Sequence, residues 1–283
     1  MTRLLIVNAD DYGLTAGISR AIVRAHREGI VTSTSALAVG PAFVRTAAWL
    51  DDVPGLGVGA HLAAVGEDPP LLSAREIPTL VDGRGRLDVS WRRFLFRAAL
   101  RRVDPADVER EFSAQLQLLT GILGRGRLTH LDTHQHLHLW PSIGQAVITL
   151  AERWRVPAAR ATRSLGRGPL DWAVDRLGRR FARQAHAAGL RTPAAFAGFG
   201  EGGELVASRL VATIGRLAAS GVPTVELGVH PGEHGDPDLV RYPWSYRWGD
   251  ETDALVSPGV RAAVAEGGFT LGSFAALAVY ARE

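Results

Sequence analysis

The sequence contains no cysteine and no lysine. The absence of cysteine excludes disulfides, thiolate zinc sites and a cysteine nucleophile. The absence of lysine excludes Schiff-base chemistry and the phosphate-binding lysine of a P-loop. All 32 basic residues of the composition are therefore arginines. Catalysis by this chain has to use other side chains.

Strong charge imbalance and long apolar runs are also absent. The 32 arginines face 29 acidic residues and leave a formal net charge of only +3, so we expect no nucleic-acid partner. The apolar run at residues 4–7 is too short for a signal-peptide core. No uninterrupted apolar run reaches the roughly 18 residues of a membrane span. The sequence predicts a soluble, cytoplasmic protein without stable membrane insertion.

The length and composition suit one enzyme-sized domain. A chain of 283 residues that is 46% hydrophobic can bury a large core. Short apolar runs alternate with amphipathic segments along the whole chain, which is typical of α/β proteins. We therefore expect a single α/β domain over residues 1–283.

Seven or eight strand-then-helix units can be read from the sequence. The predicted strands are 4–8, 31–39, 56–62, 128–132, 157–161, 193–196, 224–229 and 270–272. The predicted helices are 16–28, 41–50, 105–123, 141–154, 170–188, 205–220 and 259–266, with one more at the end of the chain. This alternation predicts a parallel sheet that closes, or nearly closes, into a (β/α) barrel.

One insertion, residues 66–104, breaks the alternation. It contains Pro69, Pro70 and Pro78, followed by a basic and apolar segment at 91–102. Insertions of this length often form a lid over a site or a surface between subunits. We expect one of these two roles here, the second of which would make the protein a homodimer.

Two adjacent carboxylates, Asp10 and Asp11, follow the first predicted strand. Successive strand side chains point to opposite faces, so both can face one point only if the chain leaves the strand there, helped by Gly13. One carboxylate can then bind a metal while the other takes a proton from water. The alternative is that one of them caps a helix or forms an Asx turn.

A second polar stretch contains Asp132, His134, His136 and His138 at alternate positions. If the strand continues, these side chains lie on one side of it, where imidazoles can converge on an ion at about 2.0–2.1 Å. The alternative is a set of hydrogen-bonded core histidines. The pattern favours a metal or catalytic site, but the spacing leaves open which histidine binds.

Three further features follow predicted strands. His61, taken alone, is more typical of a core residue. His230 precedes Pro231 and shares a strand face with Glu226. The aromatic segment 242–248 is suited either to stack on a sugar ring or to plug the core under a loop.

Five stretches taken together resemble the YdjC-like carbohydrate deacetylases. They are VNADDYGLT, IVTSTSALAVG, GVGAHL, THLDTHQHLH and ELGVHPG, in chain order from the first strand to about Gly232. The resemblance implies a distorted, TIM-like (β/α) barrel that removes N-acetyl groups from amino sugars with the help of a divalent metal ion. The segment 62–65 is apolar where the family usually has polar residues, and we expect it to border the substrate.

The resemblance also implies roles for individual residues. Asp11, His61 and His134 correspond to the metal ligands, Asp10 to the catalytic base and His230 to the general acid. This ligand set implies one divalent ion, for which Zn²⁺ is favoured over Mg²⁺, Mn²⁺ and Co²⁺.

Other matching residues are expected around these. Asp132, His136, His138 and Glu226 would orient the ligands or touch substrate. Arg160 would orient Asp10 or contact the sugar. Tyr12 stands where the family has Phe and would add a hydroxyl to the pocket.

Two alternative functions remain open. One is another metal-dependent barrel hydrolase such as a phosphoesterase, which usually gathers ligands for two or three ions. The other is a carbohydrate-binding relative without catalysis, although binding alone has no need of the base Asp10. The sequence leaves open whether the amino-sugar substrate is a small molecule or lipid-linked.

Overall fold

A computed structural model describes residues 3–166 and 168–280 of the chain. The strands are β1 (Arg3–Tyr12), β2 (Ser33–Ala36), β3 (Gly57–Leu62), β4 (Leu128–Thr133), β5 (Ala195–Ala197), β6 (Thr224–Val229) and β7 (Phe269–Leu271). The helices are α1 (Ala16–Glu28), α2 (Phe43–Thr46), α3 (Trp91–Ala99), α4 (Pro105–Leu123), α5 (Pro141–Trp154), α6 (Pro169–Ala187), α7 (Ala207–Ala219), α8 (Trp248–Val256), α9 (Pro258–Glu266) and α10 (Leu277–Tyr280). None of the described helices combines the length and apolarity that a membrane span requires.

The seven strands form one parallel sheet that curls into a half-barrel surrounded by helices. Its order is β4-β3-β2-β1-β6-β5, and β7 pairs with β1. One edge of β1 pairs with β6, and the other is shared by β7 near Arg3 and by β2 from Asn8 onward. The predicted parallel α/β barrel with seven or eight strands is confirmed, in its distorted form.

The barrel is irregular between β4 and β5. Residues 157–161 were predicted as a strand, but they pair only through the isolated bridges Leu131–Ala159 and Ala158–Arg191. The segment lies between two neighbours and exchanges two backbone hydrogen bonds with each, and Pro157 has no N–H to extend the ladder. This prediction is wrong: the segment is extended but does not form a regular strand.

Other strands and helices differ in their bounds from the predictions, or agree with them, according to the local sequence. The predicted strand 31–39 is regular only over β2, and the predicted helix 41–50 divides into α2 and a 3₁₀ helix at 47–50. Helix α4 agrees with its prediction because the Asp104 side chain accepts a hydrogen bond from the Ala106 N–H and Pro105 occupies the first turn. Helix α8, which begins inside the aromatic segment 242–248, was not predicted.

The insertion is held against the barrel by two buried acids of α4. Glu111 accepts hydrogen bonds from the backbone N–H groups of Leu71 and Leu72, at 2.9 and 3.0 Å. Asp107 accepts one from the Thr79 N–H at 2.7 Å. These bonds satisfy the insertion's backbone and fix it beside the carboxyl ends of the strands.

Gly59 in β3 makes room for a buried ring. A Cβ at this position would lie 2.3 Å from Cε1 of His130, whose ring stacks on Phe274 at a centroid distance of 3.7 Å. We expect Gly59→Ala to lower the free energy of unfolding by at least about 2 kcal/mol, since the ring has no space to move.

Urea denaturation followed by circular dichroism would measure this effect. Gly121→Ala in α4 is the matched control, because no atom lies within 4 Å of a Cβ there and alanine is up to about 1 kcal/mol better than glycine in a helix. Equal midpoints for the two variants would contradict the packing argument.

Candidate active site

A cavity of about 650 Å³ opens at the carboxyl ends of the strands. This volume falls within the roughly 300–1,000 Å³ of small-molecule sites. Five residues singled out in the sequence line it together: Asp10, Asp11, His61, His134 and His230. They come from the ends of β1, β3, β4 and β6, where barrel enzymes place their working residues.

A β-bulge brings Asp10 and Asp11 to the same cavity. Strand β1 continues to Tyr12, but its register with β2 shifts between Ala9 and Tyr12, and Asp11 has the left-handed φ of 66°. A bulge inserts one extra residue and so re-aims a side chain that regular alternation would turn away. The prediction that the chain leaves the strand at this point is wrong, and the strained residue is Asp11 itself.

Asp11, His61 and His134 place three donor atoms around one point. The Asp11 Oδ1 atom lies 3.5 Å from His61 Nε2 and 3.3 Å from His134 Nδ1, and the two nitrogens are 3.3 Å apart. Tetrahedral coordination with bonds of about 2.0–2.1 Å places ligand atoms about 3.3 Å apart. Octahedral Mg²⁺ would place them about 2.9 Å apart.

The charge environment of this group favours a cation. Within the described part of the chain, the buried Asp11 Oδ1 atom has no hydrogen-bond partner. Burial alone would lower the pKa of His61, but the carboxylates of Asp132, Asp10 and Asp11 raise it to about 9. A buried His/Asp group that attracts positive charge this strongly fits a divalent metal ion.

Asp132 orients one of the three donors. Its Oδ1 atom lies 2.8 Å from Nδ1 of His61, which leaves Nε2 of that ring facing Asp11. The Ser35 hydroxyl donates to the other oxygen of Asp132 at 2.8 Å. Carboxylates behind a histidine in this way fix its ring and tautomer.

The strand that contains Asp132 ends at Thr133, so the predicted alternation fails beyond it. Residues 134–139 form a 3₁₀ helix in which Gln135 and His136 have φ of 53° and 54°. His134 turns towards Asp11 as a result. The prediction that four side chains line one strand face is therefore wrong after Thr133.

The two later histidines of this stretch make other contacts. His136 lines the cavity, with its Nδ1 atom 2.9 Å from the hydroxyl of Thr162. His138 lies behind it, hydrogen-bonded to the Thr133 hydroxyl at 2.8 Å. Burial lowers the pKa of His138 to about 3, so this ring is neutral and supports the turn.

Arg160 is the centre of the buried charges. Its guanidinium is fully buried and donates to both oxygens of Asp10, at 2.7 and 2.8 Å. It also contacts Asp132 at 2.9 Å and Glu226 at 2.7 Å. Asn8 adds a bond of 2.7 Å to Asp10.

These contacts separate the protonation states of two acids. Burial alone would raise the pKa of Asp10, but Arg160 holds it well below its ordinary value. Burial raises the pKa of Glu226 to about 8 despite the same arginine. Asp10 is therefore ionised near neutral pH, whereas Glu226 keeps its proton to a higher pH than a free glutamate does.

His230 lines the cavity. Its backbone N–H donates to the buried Glu251 at 2.7 Å, and its ring lies 4.9 Å from that of Tyr246. Among the described residues, its buried Nδ1 atom has no hydrogen-bond partner. The ring belongs to the cavity wall.

Two expectations about the pocket lining are wrong. Tyr12 is fully buried and its hydroxyl donates to the Thr46 carbonyl at 2.6 Å, so it adds no group to the cavity. Residues 62–65 are also buried and are not part of its wall.

The aromatic segment 242–248 forms part of the cavity wall and part of the core. The Trp244 ring lies 5.4 Å from that of His134, and its Nε1 donates to Glu67 at 2.9 Å. Tyr242 and Trp248 are buried, and the Tyr242 hydroxyl donates to Asp68 at 2.8 Å. The expected plug in the core is confirmed for Tyr242 and Trp248, whereas stacking on a sugar ring stays a prediction for Trp244.

Sequence reasoning missed three polar residues that support the site. Asn8, Ser35 and Glu251 are each fully buried and bond to Asp10, Asp132 and His230 respectively. Asn8 could have been found, because it lies two residues before Asp10 and therefore on the same face of an otherwise apolar strand. Glu251 offers no such signal, since it lies on a helix that was not predicted.

The fold and site define an α/β half-barrel protein with a buried His/Asp group at the carboxyl ends of its strands. The chain belongs to the YdjC-like protein family, whose model matches residues 4–266. The resemblance seen in the sequence is thereby confirmed.

Three comparisons describe its neighbours. The chitooligosaccharide deacetylase of Serratia marcescens is 31% identical over 278 residues, which cover 97% of this chain and 99% of that protein. The carbohydrate deacetylase of Brevibacillus brevis is 37% identical over 153 residues, 54% of this chain and 57% of that one. A crystal structure from Enterococcus faecalis, described as a candidate cellobiose-phosphate cleavage protein, superposes with a TM-score of 0.80 at 24% identity and covers 98% of this chain and 99% of that chain.

Removing the charge of Arg160 would leave buried carboxylates uncompensated. We expect Arg160→Gln to lower the free energy of unfolding by about 3–5 kcal/mol, the usual effect of breaking a buried ion pair. Urea denaturation at neutral pH would measure it.

The control is Arg153→Gln, which removes an arginine from an exposed pair with Glu109. A surface pair contributes at most about 1 kcal/mol. A similar small loss for both variants would show that the buried carboxylates do not depend on Arg160.

Proposed function

We propose that the protein is a metal-dependent hydrolase that removes the N-acetyl group from an N-acetylated amino sugar or its glycoconjugate. The observation that supports this most is the triangle of donor atoms of Asp11, His61 and His134 beside Asp10, an ionised carboxylate. The names of the Serratia and Brevibacillus relatives, a chitooligosaccharide and a carbohydrate deacetylase, give the reaction type.

Asp11, His61 and His134 would hold one divalent ion. Their spacing of 3.3–3.5 Å agrees better with tetrahedral Zn²⁺ than with octahedral Mg²⁺, while Mn²⁺ and Co²⁺ use similar donors. A bound ion supplies a Lewis acid that polarises the acetyl carbonyl and makes water a better nucleophile. Three protein ligands leave coordination positions open, as catalysis requires.

Asp10 acts as the general base. It is ionised and lines the cavity, and Arg160 and Asn8 fix its orientation. It takes a proton from the water that attacks the acetyl carbon. Because both of its oxygens are held by Arg160, the carboxylate is kept in one position during the reaction.

His230 acts as the general acid. The C–N bond of the amide breaks after water has added to the carbonyl carbon, and the amine needs a proton to leave. The imidazole of His230 provides that proton, and the bond from its backbone N–H to Glu251 holds the residue at the cavity. The products are acetate and the free amino sugar.

The number of metal ions separates this proposal from a phosphoesterase. A second group of potential ligands, Asp10, His61 and Asp132, lies close together, but it shares His61 with the first and both of its carboxylates bind Arg160. We therefore expect one Zn²⁺ per chain by mass spectrometry of the equilibrated protein.

The loss of Zn²⁺ binding should be specific to substitution of an assigned ligand. We expect His134→Ala to weaken Zn²⁺ binding at least tenfold, whereas the exposed His234, paired with Asp253, should be replaceable by alanine without effect. Two or three ions per chain would favour the phosphoesterase, and equal affinities for both variants would refute the assignment of His134.

Acetate release tests the reaction itself. The substrates are N-acetylglucosamine, diacetylchitobiose, a UDP-linked N-acetylglucosamine and a lipid-linked glucosaminide, each with and without chelator and added Zn²⁺. We expect release that the chelator abolishes. Asp10→Asn and His230→Ala should each lower kcat about 10²- to 10⁴-fold.

The Zn²⁺ affinity of Asp10→Asn and His230→Ala is the control. It should equal that of the wild type, since neither residue is assigned as a ligand. Bound sugar without any release from the Zn²⁺-loaded protein would favour the non-catalytic relative.

A further inference from the structure

We propose that Ser35 is a positioning residue that couples the base Asp10 to the metal ligand His61. This rests on the proposed function, because the roles of Asp10 and His61 belong to it. Ser35 lies on β2, is fully buried and is not part of the cavity wall. It can therefore act only through the residues that its hydroxyl contacts.

The hydroxyl of Ser35 contacts three side chains from two other strands. Its oxygen lies 2.8 Å from Oδ2 of Asp132, 2.8 Å from Nδ2 of Asn8 and 3.1 Å from Nε2 of His130. All three are fully buried, as Ser35 is. A serine hydroxyl donates one hydrogen bond and accepts two, so these contacts use its full capacity.

The direction of each hydrogen bond follows from the chemistry of the neighbours. Asp132 forms an ion pair with Arg160 at 2.9 Å, so its carboxylate only accepts and the Ser35 proton points to it. Nδ2 of Asn8 is an amide nitrogen and only donates. The Ser35 oxygen then has one acceptor position left, so Nε2 of His130 has to carry a proton.

The ring of His130, a buried histidine without a role in the proposed reaction, is fixed in the place that this arrangement requires. It stacks on Phe274 at a centroid distance of 3.7 Å and lies directly against Gly59. Burial lowers its pKa to about 3, so the ring is neutral and has one proton. The Thr129 hydroxyl, which lies 3.1 Å from both Nδ1 and the Val58 carbonyl, then donates to Nδ1.

The other tautomer of His130 would leave one contact of Ser35 without a proton. With the ring proton on Nδ1, the single hydroxyl proton of Ser35 would have to serve both Nε2 and the carboxylate of Asp132. A buried acceptor without a donor is unfavourable. The contacts around Ser35 therefore select the tautomer with Nε2–H.

From Ser35 the hydrogen bonds lead to both halves of the proposed active site. On one side, Oδ1 of Asp132 lies 2.8 Å from Nδ1 of His61. On the other side, Nδ2 of Asn8 also donates to Oδ1 of Asp10 at 2.7 Å. Loss of the Ser35 hydroxyl would thus release a carboxylate behind the ligand and an amide behind the base together.

Ser35→Ala tests this coupling, with Ser33→Ala as its matched control. Ser33 lies two residues earlier on the same face of β2 and is fully buried, but its hydroxyl has no hydrogen-bond partner among the described residues. Zn²⁺ affinity is measured by competition with a chromophoric chelator. We expect about tenfold weaker binding by Ser35→Ala, because groups behind a metal-binding histidine have effects of this size, and wild-type affinity for Ser33→Ala.

Acetate release at saturating Zn²⁺ separates positioning from substrate binding. Because Ser35 does not line the cavity, Ser35→Ala should lower kcat about tenfold and leave KM unchanged within about twofold. Ser35→Thr keeps the hydroxyl and should recover most of the loss in kcat and in Zn²⁺ affinity. A loss in Ser35→Thr as large as that in Ser35→Ala would contradict a role for the hydroxyl.

The tautomer of His130 is a test that needs no substitution in β2. Nitrogen NMR of the isotope-labelled, metal-free wild type distinguishes Nε2–H from Nδ1–H in a neutral ring, and the signal is assigned by its absence from His130→Gln. We expect Nε2–H. The Nδ1–H tautomer would overturn the proposal, even where Ser35→Ala fails to fold.

The outcomes separate this proposal from the proposed function. Equal Zn²⁺ affinities for Ser35→Ala and Ser33→Ala, whether unchanged or equally reduced, would overturn the coupling and leave the deacetylase intact. Weaker Zn²⁺ binding by Ser35→Ala alone, without acetate release from any substrate by the wild type, would support the positioning of His61 and refute the deacetylase.

Discussion

The contact between one buried arginine and the carboxylates around it is the interaction on which the site depends. Asp10, Asp132 and Glu226 come from β1, β4 and β6, and all are buried. Ionised carboxylates at this separation repel one another in a medium of low polarity. Arg160 compensates this charge, and the raised pKa of Glu226 lets that acid take up a proton more readily than the other two. The arginine comes from the irregular segment between β4 and β5, so the interruption of the barrel also brings in its central cation.

The same arginine gives two adjacent aspartates different chemistry. It binds both oxygens of Asp10 and makes that carboxylate an ionised, fixed group. The bulge in β1 turns Asp11 away from the arginine and towards His61 and His134, where its Oδ1 lacks a hydrogen-bond partner among the described residues. An ion-paired carboxylate and a carboxylate that faces two histidines are thus distinguished by backbone geometry and one counter-ion, although their side chains are chemically identical.

The sequence predicted the elements whose local signals agree with their packing. Helix α4 has an N-cap residue, a proline in its first turn and a helical spacing of apolar residues, and all three indicate the same helix. Strand β6 is a short run between turns that is apolar except for Thr224 and Glu226. The site was harder to predict, because Asp11, Gln135 and His136 adopt positive φ without being glycine, and no local pattern indicates this. The resemblance to a family was needed to select His61 and His134 and to suggest that Arg160 orients Asp10. Sequence spacing cannot show that a residue 150 positions away binds both oxygens of Asp10.

The cavity has a polar floor at the strand ends and a largely apolar outer wall that includes Trp91, Leu95, Leu170 and Val174. Floor and wall belong to different parts of the chain. The floor is built from strand ends and is constrained by Arg160, so a change there disturbs several buried charges at once. The wall is built on α3 and α6, which lie outside the sheet and contact the cavity with single faces. A substitution on such a face alters which group the cavity can bury without breaking the buried ion pairs. The polar floor and the apolar wall can therefore vary separately in this fold.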